Sequence, residues 1–98
     1  MRGRRRTVAS ALAETLARRP EARAAALACA FADACGPRLA SEASLRGQAA
    51  DGRLLVVVRS PAWAEQVALL EREICARVEG RMGPGSAPGL LVRVGSAR

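Results

Sequence analysis

Three kinds of residue in this sequence could do chemistry: three cysteines, a cluster of glycines after residue 79, and sixteen basic residues, all arginine. Histidine and tyrosine are absent, so a Ser–His or Cys–His nucleophile pair cannot be built. Cys29, Cys35 and Cys75 form no CxxC, and no histidine completes a zinc set. An odd thiol count without a secretion signal points to reduced cysteines, each expected as a small buried apolar residue. Gly80, Gly83, Gly85 and Gly89 follow a helical pattern and precede a strand, the reverse of a phosphate-binding loop. The carboxylates are mostly helix-surface glutamates balanced by arginine. A non-enzymatic chain is therefore expected, with no metal and no cofactor.

The arginines suggest binding instead. Of the net charge of +7, Arg2, Arg4, Arg5 and Arg6 supply four, leaving 7 − 4 = +3 for the remainder. Such a balance favours a polyanionic partner. Exclusive use of arginine beside abundant Ala, Gly and Pro reflects a GC-rich composition, so it is not in itself a signature of bidentate phosphate recognition. The arginine arm is either a solvated tail or a source of salt-dependent, sequence-independent affinity. Single-strand binding normally adds aromatic platforms, but only Phe31 and Trp63 exist, both on apolar helical stripes. Both are expected in the core, which leaves a mostly electrostatic affinity. Gly80-Arg81-Met82-Gly83 matches the GxxG clamp of KH domains, yet it joins a helix to a strand, so a helix cap followed by a loop is the preferred reading.

The elements that position these residues follow from periodicity. A chain of 98 residues holds one small domain, and its 22 alanines bury little area each, so stability alone should be marginal. No apolar run is long enough to span a bilayer, and Glu14 and Arg18 interrupt what would be a signal-peptide core, so a cytoplasmic location is expected. Residues 1–6 read as a disordered basic arm, 7–95 as the domain and 96–98 as a frayed tail. Thr7 caps a helix carrying Val8, Leu12 and Leu16; Pro20 opens a second over 20–35 with Leu27, Phe31 and Cys35 in phase. Gly36-Pro37 stops it, and 38–50 forms a weak strand pattern. Asp51-Gly52 predicts a type I′ hairpin turn into a strand, Leu54–Arg59, with the sets Leu54/Val56/Val58 and Leu55/Val57/Arg59 on opposite faces. Ser60-Pro61 starts a third helix with a stripe of Trp63, Val67, Leu70, Ile74 and Val78. On its other side stand Glu65, Arg72, Glu79 and an ordered Glu73–Arg77 pair. A loop over 80–89 leads to a last strand, 90–94. The expected fold is α+β, in the order ααββαβ, with helices on one face of a three-stranded sheet.

Several of these residues together resemble a known family. They are Phe31 five residues before Gly36, the Asp51-Gly52 turn, the alternating Leu54/Val56/Val58 strand, and Ser60-Pro61-Ala62-Trp63-Ala64 opening a helix. Over roughly residues 8–94 the chain resembles the DciA family, bacterial proteins that act as loader or operator of the replicative helicase DnaB. The resemblance implies a KH-like domain without ATPase activity that contacts the helicase and binds DNA, preferring single strands or forks. It also implies that Phe31 (commonly Trp in the family), Gly36, Asp51, Gly52 and Trp63 define the fold. Members often carry a further disordered arm used in helicase binding.

The expected role is thus a DNA-binding adaptor in replication, cytoplasmic and nucleoid-associated, with no small-molecule substrate. Its phosphate contacts would be Arg2, Arg4, Arg5, Arg6, Arg38, Arg46, Arg53, Arg59 and Arg93. Two alternatives stand beside it: a KH-like RNA-binding module centred on Arg81, and a protein–protein scaffold using the Leu55/Val57 face.

Overall fold

A computed structural model describes residues 20–95; the helix expected from Thr7, the arm 1–6 and the tail 96–98 lie outside them. The elements are α1 (Pro20–Cys35), α2 (Pro37–Ala40), β1 (Ala43–Gln48), β2 (Leu54–Val58), α3 (Pro61–Leu69), α4 (Glu71–Met82) and β3 (Leu90–Val94). This is an α+β fold with a mixed three-stranded sheet in the order β1-β2-β3. β1 pairs antiparallel with β2, and β2 pairs parallel with β3, with Leu54 opposite Leu90 and Val58 opposite Val94.

α1 begins as its sequence dictates, with Pro20 at the first position and Glu21 in the first turn, where a carboxylate suits the dipole. It buries a narrow stripe of Leu27, Ala30, Phe31 and Ala34. Gly36 turns the chain at φ +83°, and its N–H donates to Ala32 O at 3.0 Å. The chain does not then run straight into a strand: Pro37 opens the single turn of α2, which seats Leu39 in the core before β1 begins at Ala43. A proline suits a first helical position, and that preference outweighs the loose alternation read over 38–42.

The β1–β2 hairpin forms where Asp51-Gly52 predicts it, but not through a type I′ turn. Gly52 has a positive φ, +92°, and Asp51 does not. Ala49 N–H donates to Arg53 O at 2.8 Å and Gly52 N–H to Ala49 O at 2.9 Å, which makes a three-residue loop with glycine in the left-handed position. The Asp51 carboxylate accepts from both Arg53 N (3.1 Å) and Arg53 Nε (2.8 Å), a local tie that needs no second positive φ.

The third helix is two. At Leu70 (φ −100°, ψ 6°) α3 ends and α4 begins, which lets α3 lie on β2 and β3 while α4 packs along α1. Val67, Ile74 and Val78 stay buried, but Leu70 falls out of the stripe and is 37% exposed. α4 also runs to Met82, so the following loop covers 83–89. Leu54, Val56 and Val58 of β2 are fully buried beneath the helices, in one core with Phe31, Leu39, Val67, Ile74, Val78 and Leu90.

Candidate nucleic-acid interface

Strand alternation puts Leu55, Val57 and then Arg59 on the side of β2 away from the helices. In register beside them on β3 stand Leu91, opposite Leu55, and Arg93, opposite Val57. Leu55, Val57 and Leu91 are half-buried, and Arg59 and Arg93 are exposed. On the other flank, β1 contributes Ser44 opposite Val57, followed by a bulge between Leu45 and Gly47. The extra residue at the bulge is Arg46, which is exposed. The result is a short apolar strip bordered by guanidinium groups on both outer strands. Arg59 and Arg93 form no ion pair among the described residues.

The remaining expected contacts lie elsewhere. Arg53, at the hairpin end, is bound by Asp51, and that hydrogen bonding holds the Asp51 carboxyl below its usual range. Much of the Arg53 charge is therefore already matched. Arg38 sits on α2, not on a strand, and lines an open groove with Ala62, Trp63, Glu65 and Gln66. Arg2, Arg4, Arg5 and Arg6 lie outside the described residues.

Arg81, the centre of the GxxG match, belongs to the last turn of α4, with Gly80 helical and Gly83 as the C-cap. Its guanidinium pairs with Asp33 of α1. Neighbouring Arg77 bonds Glu73 at 3.4 Å and the Ala34 carbonyl at 3.0 Å, closing the end of α1. These arginines join two helices.

Among the residues expected to define the fold, Phe31 is buried, and a Cβ on Gly52 would stand 3.4 Å from Pro88 Cγ. Trp63 is tied to its cap by a bond from its N–H to Ser60 Oγ (3.3 Å) and packs on the core, but only partly. Its indole N–H has no hydrogen-bond partner among the described residues, and the half-buried side chain lines the same groove. The cysteines also divide. Cys75 is buried, Cys35 is half-buried with burial pushing its thiol up to about 11, and Cys29 is exposed, contrary to expectation, because it lies off the Leu27/Phe31 stripe. No group of three His, Cys, Asp or Glu among the described residues could hold a metal ion.

One device escaped the sequence reading. Glu79, taken as a solvated surface residue, is half-buried, and its Oε2 accepts from Gly85 N (3.0 Å) and Ala87 N (3.2 Å). Glu71, two turns earlier, accepts from Leu90 N at 3.0 Å. Together they pin the glycine-rich loop and the first residue of β3 to α4. The available signal was a carboxylate in a last helical turn, the unfavourable end of the dipole, next to a loop rich in free N–H groups.

Comparison with known families decides the affiliation: the model described as "Dna[CI] antecedent, DciA" matches residues 6–88. The chain belongs to the DciA family. No curated protein and no solved structure matches it. The family is associated with the loading of the replicative helicase DnaB and is not a known enzyme family, and in this member no described helix is long and apolar enough to cross a membrane.

Proposed function

We propose that this DciA-family chain is a non-enzymatic adaptor that binds single-stranded or forked DNA and assists the loading or operation of the DnaB-type helicase, in the cytoplasm at the nucleoid. The observation that carries the DNA-binding half is the sheet face, where Arg46, Arg59 and Arg93 border the strip Leu55, Val57 and Leu91. Guanidinium groups at the rim of a shallow face supply phosphate contacts, while the apolar strip accepts sugars and base edges. The helicase half is supported by family membership.

The first test is the anisotropy of a labelled single-stranded oligonucleotide with the cognate helicase, with and without the full chain. Capture of helicase on the strand faster than the separate binding signals predict supports the reading; simple addition refutes the adaptor role. Arg59→Gln with Arg93→Gln should lower the salt slope of strand binding by about 1.4, at about 0.7 per phosphate contact. An unchanged slope removes the sheet face from the interface. Arg81→Asp should leave strand binding nearly unaltered, since Arg81 is engaged by Asp33; loss of RNA binding in that variant would instead favour the KH-type clamp.

A further inference from the structure

Trp63 is the single tryptophan of the chain, and it is not sealed in the core. The half-buried indole packs against core residues and also lines an open groove of about 620 Å³ with Arg38, Ala62, Glu65 and Gln66. Arg38 and Gln66 are exposed, and their side chains have no bonded partner among the described residues. A planar ring held by its own core contacts, with a cation at the rim of the same groove, is the arrangement that takes a base by stacking and its phosphate by charge.

The groove's position fits a strand arriving from the sheet face. Arg59 precedes Trp63 by four positions, and its N–H donates to Glu42 O (3.2 Å), next to Ser41 at the end of α2. Arg93 lies on the same end of the sheet, since Val58 pairs with Val94. Glu65 disfavours a phosphate along its own wall, which leaves Arg38 as the anion-bearing side.

We propose that the groove between α2 and the start of α3 is a stacking subsite for one nucleobase of a single strand, with Trp63 as platform and Arg38 as phosphate contact. The subsite rests on the DNA-binding reading above and adds a stacked base to the phosphate and strip contacts of the sheet face.

Because Trp63 is the sole tryptophan, its emission reports the subsite in the unmodified chain. The full chain is titrated with an end-labelled oligothymidylate while indole emission and label anisotropy are followed together. The expected result is quenching that saturates with the anisotropy, and in Arg38→Gln a weaker affinity with the circular dichroism unchanged. Trp63→Leu should raise Kd about 5- to 150-fold, the range for losing one base–aromatic stack. That substitution also removes core packing, so the unmodified chain and Arg38→Gln decide the question. Rising anisotropy with unaltered emission would overturn the subsite and leave the DNA-binding reading standing. If neither signal moves, both fall. Emission that responds to added helicase and not to the oligonucleotide would overturn the subsite in favour of a protein contact.

Discussion

Replacing Glu79 by alanine tests whether the carboxylate clamp holds the loop that feeds β3. In the native chain the Glu79 carboxylate serves two N–H groups, Gly85 at 3.0 Å and Ala87 at 3.2 Å. Gly85 is exposed, so water replaces its lost acceptor at little cost. Ala87 is only 2% exposed, and its N–H has no such replacement. A part-buried donor left unmade costs about 1–3 kcal/mol. The better helix propensity of alanine returns only a few tenths of a kcal/mol. Taking about 2 kcal/mol as the net, and about 4–8 °C per kcal/mol for a domain of this size, Tm should fall by about 8–16 °C. Glu79→Gln keeps an oxygen acceptor and should lose less. Glu65→Ala, on the exposed side of α3, is the control and should stay within about 0.5 kcal/mol of wild type. Thermal melts followed by circular dichroism read the difference, and amide exchange at Ala87 and Leu90 localises it. If Glu79→Ala melts together with Glu65→Ala, the clamp does not contribute and the reasoning fails.

Three further outcomes rest on burial and backbone geometry. Exposed Cys29 should be alkylated first near neutral pH, with Cys35 lagging until its thiolate forms near about 11. Because the folded value of Cys35 is raised, the unfolded thiol ionises first, and stability should fall as pH rises from 9.0 towards about 11. Urea midpoints across that range should lose part of this slope in Cys35→Ser, the Cys75 thiol, also raised by burial, keeping the rest. Gly47 and Gly80 both have open space where a Cβ would go, but Gly47 sits at φ +152° in the bulge and Gly80 is helical. Gly47→Ala should therefore destabilise by about 1 kcal/mol or more, and Gly80→Ala should stabilise by about 0.5–1 kcal/mol. Shifts of the same sign in equilibrium unfolding would contradict this.

Where one residue's chemistry settles a local choice, the sequence was readable. β2 was visible in Leu54–Val58 because five apolar residues after Asp51-Gly52 leave no other element, and α1 because Pro20 and Gly36 bracket it. The break at Leu70 was not visible: an uninterrupted stripe from Trp63 to Val78 also describes a straight helix, and only the competing demands of the sheet and α1 bend it. Glu79 was misread because periodicity assigns a face but not the path of the loop that covers it. Trp63 was expected inside, but it stands in the first turn of α3, half-buried at the border of the open groove. At the candidate interface, alternation placed Arg59, whereas Arg93 needed the β2–β3 register and Arg38 the unforeseen turn of α2 to be located.

The bulge in β1 bears on what this sheet can join. Among the described residues no further strand pairs with β1 or β3, and an uncovered sheet border invites strand addition by an extended chain. On β1 the hydrogen-bonding rhythm skips at Arg46, so an incoming strand would lose register midway. On β3 the margin is five residues long, and a charged residue, Arg93, stands next to its end. Neither border is a good template for sheet extension. Copies of this chain are thereby kept from zipping edge to edge, and the broad side of the sheet and the helices are left as the surfaces for a partner.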